Sequence, residues 1–319
     1  MSTASAAPTG RVLCVTVNLA LDVTYLADSL TAGEANRVAE VHARAGGKGV
    51  NVARLLHDFG HPVVVTGLAG GSVGDEIATS LDAGSLAHDL APCLSASRRT
   101  VTAVDRRDGS STGYYEPGPL ISAGEWDRFA TVYERWLPDV ALVVLAGSLP
   151  PGAPADGYRQ LIALARDHGV PAVLDVPGEA LLSGLAAGPW LVKPNELELA
   201  EATRIARPVS VDAAVHAAGR LIDGGAERVV VSLGARGLVG VCARQVVVAV
   251  PPTVMGNPVG AGDAVVATLT HAHLTGVAWP QALRLAAATA AAAVRMHVAG
   301  AVDHHDVDEL YDRVEVCVR

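Results

Sequence analysis

Asn257-Pro258-Val259-Gly260-Ala261-Gly262-Asp263 reads as a tight turn feeding a helix: two glycines bracket a small residue, and Ala264 to Thr275 is apolar and helix-like. Backbone N–H groups at such a helix start lack intrahelical acceptors, and the helix dipole adds partial positive charge there. That environment suits a phosphoryl group whose transition state gathers negative charge. Asp263 sits in the same turn, where a carboxylate can take the proton of an attacking hydroxyl. Taken alone, the segment serves equally well as a plain turn opening a packed helix. Outward from it, Leu238–Val241 and Gln245–Val250 read as a hairpin, and a second long helix is expected over Pro280–His297.

The remaining chain alternates strand and helix. Strands are expected at Arg11–Asn18, Val63–Gly67, Val140–Ala146, Ala172–Asp175, Trp190–Val192 and Arg228–Ser232. Helices are expected at Val50–Phe59, Gly74–Leu81, Trp126–Leu137, Gly157–His168, Val211–Asp223 and Val307–Val314. This rhythm implies right-handed βαβ crossovers and a mostly parallel sheet. Two stretches depart from it, Asp22 to Arg44 and Arg99 to Tyr115. Their period-two alternation marks half-exposed antiparallel strands, which together would form a small sheet projecting as a lid.

Composition narrows the function class. The 319 residues are 50% apolar but only 4% aromatic, as suits β-branched strands under Ala-rich helices. A net charge of −9 disfavours a nucleic-acid or anionic-membrane surface, so positive charge for a phosphate must be local. The four cysteines, Cys14, Cys93, Cys242 and Cys317, are scattered without metal-ligand spacing. Met1 to Gly10 has no apolar run of signal-peptide type, and Ala282–Val294, which carries Arg284, is too short to span a bilayer. A soluble cytoplasmic protein is expected. Lysine occurs twice, against twenty-two arginines, and both copies fall in compact motifs, Gly46-Gly47-Lys48-Gly49 and Lys193-Pro194-Asn195-Glu196. Where arginine is the default cation, such placement hints at a need for a compact ammonium.

Gly46-Gly47-Lys48-Gly49-Val50-Asn51 precedes a helix but lacks the spacing of a Walker loop. In the same order along the chain stand Asn18-Leu19-Ala20-Leu21-Asp22, Gly33-Glu34-Ala35-Asn36-Arg37 and Glu116-Pro117-Gly118-Pro119. Gly147-Ser148-Leu149-Pro150-Pro151-Gly152, Gly178-Glu179-Ala180-Leu181, Lys193 to Glu198, Val231-Ser232-Leu233-Gly234 and Gly260 to Asp263 follow. Nine segments in register resemble the PfkB carbohydrate kinase family, most of all its hexose-phosphate branch. The resemblance implies one ribokinase-like α/β domain over residues 1–319. Its mostly parallel central sheet would be flanked by helices, with lid segments inserted at about 22–44 and 99–115.

The resemblance also implies roles. Asp263 matches the family's catalytic base, and Gly260, Ala261 and Gly262 its anion hole. Asp22, Gly46, Gly47, Lys48 and Asn51 match sugar contacts; Arg37, Arg98 and Ser148 match contacts to the substrate's own phosphate. Charge-assisted hydrogen bonds from such arginines are worth roughly 1.5–3 kcal/mol each. Lys193, Asn195, Glu198, Ser232, Gly234 and Gly237 match the ATP site, with Asn195 and Glu198 holding Mg²⁺ through water. The implied reaction moves the γ-phosphoryl of ATP to a hexose phosphate, with fructose 1-phosphate as first choice and tagatose 6-phosphate or fructose 6-phosphate beside it. Kinases of free sugars or nucleosides and a non-catalytic sugar-phosphate sensor are the rival readings. Dimerisation through the lid is a further expectation by analogy. Pro258, Ala264, Pro177 and Leu19 depart from the family's usual Thr, Ser, Ser or Thr, and Pro.

Overall fold

Strands that are apolar at every position bury both faces, and this chain uses them to divide its core in two. In the computed structural model, which describes residues 10–319 except 206, 208, 209 and 297, Val12 and Cys14 face one apolar cluster while Leu13, Val15 and Val17 face the other. All five are fully buried. They belong to β1 (Arg11–Asn18).

The further strands are β2 (Ala20–Ala27), β3 (Glu40–Gly46), β4 (Val63–Ala69), β5 (His88–Pro92), β6 (Arg98–Asp105) and β7 (Ser111–Tyr115). After them come β8 (Val140–Ala146), β9 (Ala172–Asp175), β10 (Leu191–Val192), β11 (Arg228–Ser232), β12 (Leu238–Cys242), β13 (Gln245–Val250) and β14 (Glu315–Val318). The helices are α1 (Lys48–Asp58), α2 (Gly71–Ala83), α3 (Ala123–Trp136), α4 (Gly157–Asp167) and α5 (Gly178–Leu185). The second half carries α6 (Glu196–Thr203), α7 (Val211–Asp223), α8 (Ala261–Leu274), α9 (Trp279–Arg295) and α10 (His304–Tyr311).

Ten strands form the main sheet in the order β14-β13-β12-β11-β10-β9-β8-β1-β4-β5. From β11 to β5 every pairing is parallel, and the hairpin β12–β13 and β14 add antiparallel pairings at one edge. Helices α1, α8 and α9 pack on one face, and α3, α4 and α7 on the other. The expected strands and the long helices are present. His297, the expected last residue of the α9 region, and Met1 to Thr9 lie outside the described residues. No helix among the described residues is long and apolar enough to cross a membrane.

The four remaining strands make the lid sheet, ordered β3-β2-β6-β7. One expectation needs correction here. The outer pairs are antiparallel, but the central pair, β2 with β6, is parallel. Alternation reports which face a residue takes, whereas strand direction depends on how the chain returns, here through β4 and α2.

Candidate active site

Open parallel sheets bind ligands beyond the carboxyl ends of their strands, and this chain gathers its polar motifs there. Asn18 ends β1, Gly147 and Ser148 follow β8, Asp175 ends β9, Lys193 follows β10, and Ser232 ends β11. A cleft of about 890 Å³ opens above them. Asp22, Arg98, Thr100 and Tyr115 of the lid sheet border it, with Gly47, Lys48 and Asn51 from the start of α1. Gly260 to Asp263 border it from the start of α8, and Lys193, Asn195, Ser232, Gly234 and Gly237 from the loops after β10 and β11.

The turn at 260–263 takes its shape from glycine. Gly260 has φ 88° as the N-cap of α8, and a β-carbon there would lie 2.7 Å from that of Ala299. Ala261 donates its N–H to the Pro258 carbonyl at 3.2 Å and Ala264 to the Gly260 carbonyl at 2.9 Å. The amides of Gly262 and Asp263 donate to no protein group among the described residues, as the opening of a helix requires. A β-carbon on Gly262 would stand 3.2 Å from the Lys193 Nζ, so an ammonium adjoins the bare amides. Amides, helix dipole and ammonium together suit an anionic oxygen cluster. Pro258 costs the turn no hydrogen bond that it uses, because its carbonyl is the group engaged. Leu19 and Ala264 are buried apolar residues, and Pro177 is the N-cap of α5.

Asp263 is 6% exposed, and its Oδ2 accepts from the Asn51 Nδ2 at 2.8 Å. Burial, and secondly the negative charge of Asp175, push its carboxyl up to about 7, against the opposing pull of Asn51, Lys48 and Lys193. A carboxyl poised near neutrality suits a general base.

Asp175 is the residue that sequence reasoning missed. The chain's two lysines converge on its Oδ1, Lys48 Nζ at 3.1 Å and Lys193 Nζ at 3.4 Å. It is 1% exposed. Burial drives its carboxyl up, but the Lys193 and Lys48 ammoniums more than offset that and hold it below the ordinary value. For Lys48 burial lowers the ammonium's pKa, and Asp175, Glu198 and Asp263 outweigh this, so it stays charged. The available signal was the lysine bias itself: two retained lysines at one strand end and one helix start call for a shared counter-ion.

At the lid end, Asp22 accepts a hydrogen bond from the Thr100 hydroxyl through Oδ1. Burial raises its pKa, and Arg44, Arg54 and Arg98 draw it back. A β-carbon on Gly46 would fall 2.0 Å from the Asp22 carboxyl, so glycine is needed for that close approach. Arg98 donates from Nε to the Asn18 carbonyl and from Nη1 to the Glu116 carbonyl, each at 3.3 Å.

Four expected residues stand differently, and Gly46 is one: it does not border the cleft but backs onto the Asp22 carboxyl. Arg37 lies in the exposed loop between β2 and β3 and does not border the cleft. Ser148 does not border it either, its Oγ accepting from the Asn18 Nδ2 at 3.2 Å. Glu198 closes a capping box: its Oε2 accepts the Asn195 N–H at 2.9 Å while Asn195 Oδ1 accepts the Glu198 N–H. The other carboxylate oxygen of Glu198 faces Lys48 at 3.7 Å.

Among the described residues no three His, Cys, Asp or Glu side chains gather as a metal cage. This donor set fits a divalent ion held mainly by phosphate oxygens and water, with one protein carboxylate near by.

Comparison with known proteins adds independent evidence. The model of the pfkB family carbohydrate kinases matches residues 12–305. A 1-phosphofructokinase of Rhodobacter capsulatus is 39% identical over 281 residues, covering 87% of this chain and 88% of that protein. Phosphofructokinase-2 from Escherichia coli, solved with fructose-6-phosphate, superposes with a TM-score of 0.86 at 27% identity, covering 95% of this chain and 99% of that one. Arabidopsis thaliana ribokinase, solved with ribose and ATP, shares the fold with a TM-score of 0.72 at 22% identity, over 95% and 98% of the two chains. With a cleft that joins an amide-lined turn, two lysines and a carboxyl poised near neutrality, the chain belongs to the pfkB family of carbohydrate kinases and is a phosphotransferase.

Proposed function

We propose that this kinase uses ATP to phosphorylate a hexose phosphate, with fructose 1-phosphate giving fructose 1,6-bisphosphate. The observation that carries the reading is Asp263, a buried carboxyl beside bare helix-start amides and in one cleft with Asp22. The 39% identity to a 1-phosphofructokinase supports the choice of sugar.

In this mechanism Asp22 accepts hydrogen bonds from sugar hydroxyls, and Gly46 and Gly47 let the sugar lie close to the backbone. Arg98 meets the substrate's phosphate; Arg37 has that role only if its loop moves inward, and Ser148 acts through Asn18. Asn51 holds the Asp263 carboxylate while its free oxygen takes the hydroxyl proton. The Gly260, Ala261 and Gly262 turn and Lys193 stabilise charge as it develops on the transferred group. Asp175 keeps both ammoniums in place. Ser232, Gly234 and Gly237 line the ATP end. Mg²⁺, when bound with ATP near Asn195 and Glu198, neutralises phosphate oxygens and makes the terminal phosphorus more electrophilic.

We take residues 1–319 as one kinase domain with the lid inserted, working in the cytoplasm, where its free cysteines stay reduced. Pairing of two copies through the lid is part of the proposal, since Val41, Tyr114 and Tyr115 stand exposed on that sheet. A monomer mass by light scattering would remove it. The substrate reading is tested by ADP release on fructose 1-phosphate, fructose 6-phosphate, tagatose 6-phosphate and fructose. The highest kcat/KM is expected on fructose 1-phosphate; faster turnover of free fructose rejects the hexose-phosphate reading.

A further inference from the structure

The loop that joins α9 to α10 reaches back behind the site. A β-carbon on Gly260 would lie 2.7 Å from that of Ala299 and 3.2 Å from the Gly300 nitrogen, so these two residues back the amide-lined turn. Gly300 has φ 70°, and a β-carbon there would stand 2.9 Å from both the Asn51 Cα and the Asn51 Oδ1. Ala299 and Gly300 therefore bear at once on the turn and on the side chain that donates to Asp263.

One lid residue fixes this loop. Arg44 of β3 stands directly opposite Asp22 of β2 in their antiparallel register, so the two side chains share a face of the lid sheet. From that position the Arg44 Nη2 donates to the Ala299 carbonyl. Arg54 of α1 braces the same corner, its Nη2 donating to the Ala45 carbonyl at 2.5 Å and its Nη1 to the Asn51 Oδ1 at 3.3 Å. Neither guanidinium borders the cleft. What Arg44 contributes must therefore pass through the groups it holds. Contacts run from Asp22 through Arg44, Ala299, Gly300 and Asn51 to Asp263.

Resting on the kinase reading above, we infer that Arg44 is a positioning residue for phosphoryl transfer. By holding the Ala299 carbonyl it keeps Ala299 and Gly300 against Gly260 and Asn51. The anion-binding turn and the Asp263 carboxylate are thereby set in register with a sugar held at Asp22. Transfer between two bound groups tolerates little displacement: a 1 Å error introduced away from the chemistry costs up to about 100-fold in rate. The rival role for Arg44 is local, a positive charge that serves Asp22 and substrate binding alone. The two roles divide between kcat and KM.

The test measures kcat and both KM values for the parent, Arg44→Met, Gly300→Ala and the double variant, on whichever hexose phosphate the parent turns over fastest. Arg44→Met is expected to lower kcat by about 10–100-fold and to leave KM for ATP unchanged. KM for the sugar phosphate rises as well, because Asp22 loses a facing charge, so kcat at saturation is the deciding quantity. Gly300→Ala pushes on Asn51 from the other side of the loop and should also lower kcat, and the double variant should lose no more than the worse single one. Losses that multiply, or a parental kcat in either single variant, overturn the inference; so does a rise in sugar-phosphate KM alone. If Arg44→Met does not fold, Arg44→Gln, a polar side chain too short to reach the carbonyl, takes its place under the same outcomes. A parent that turns over no hexose phosphate counts against the kinase reading instead, and amide exchange then decides the inference. Faster exchange of the Ala261 and Ala264 N–H groups, both bonded within the turn, in the Arg44 variant supports it, and exchange at the parental rate overturns it.

Discussion

Two carboxylates decide the chemistry residue by residue, and their separate environments assign separate duties. Asp263 must be ionised to act as base, and burial with the neighbouring Asp175 charge holds its carboxyl at about 7. Rate should therefore fall as pH drops through that value. We predict an acidic limb of unit slope in kcat/KM near pH 7, and a loss of about 10²–10⁴ in kcat for Asp263→Asn. Asp175→Asn removes a like charge and frees two ammoniums, so it should move that limb to lower pH while lowering kcat. The substrate's phosphate also titrates, near pH 6, but its limb does not respond to residue 175. A profile left in place by Asp175→Asn would refute the assignment of the limb to Asp263. The turn at 260–263, Lys48, Asn51 and Lys193 were legible in the sequence because each sits in a compact local motif. Asp175 was not, since a strand-ending aspartate has no local signature, and only the fold brings Lys48 and Lys193 to it. Arg37 shows the converse: its motif matched, but its loop does not border the cleft in this structure.

Between elements, the lid shows what hydrophobic periodicity can and cannot report. Alternation located the lid strands, but β5, β14, α5 and α6 went unread, being short elements whose four to eight residues hold too few periods. The parallel register that sets Thr100 beside Asp22 could not be read either. That register has a consequence for binding. Thr100 is 8% exposed and orients the Asp22 carboxylate through its hydroxyl. Thr100→Val should raise KM for the sugar phosphate by roughly 10–150-fold, the worth of a hydrogen bond to a charged group, and leave KM for ATP unchanged. Thr100→Ser should restore it. An equal rise in both KM values would mean that the lid sheet had merely come apart. At the opposite wall, the junction of β3 and α1 depends on Gly47, which has φ 105° and would drive a β-carbon to 2.6 Å from the Thr16 Cγ2. Gly47→Ala should cost about 1–3 kcal/mol in urea denaturation, by strain and overpacking combined.

Across the whole molecule, catalytic readiness and stability pull against each other at Asp263. Its carboxyl titrates at about 7 in the fold and at 3.8 when unconstrained, so folding must take up a proton or bury a charge. The sign follows from that order. Below about pH 4 the group is neutral in both states and costs nothing. As pH rises towards 7 the unfolded chain gains from ionisation and the folded chain does not, so stability declines, and beyond 7 the loss levels off. The difference amounts to something on the order of 4 kcal/mol, a large fraction of what a domain commonly has in reserve. Asp263→Asn removes the titration while keeping the shape. We therefore predict that the inactive variant gains stability over the parent as pH rises from about 4 to about 7, and that the gain is then constant, as read by urea midpoints across pH. The two lysines set the limit of this gain, because Asp263 helps to balance them, though Asp175 takes the larger share through direct contact. If the parent and variant instead tracked each other at every pH, Asp263 would have an ordinary carboxyl, and an acidic limb near pH 7 would have to come from another group.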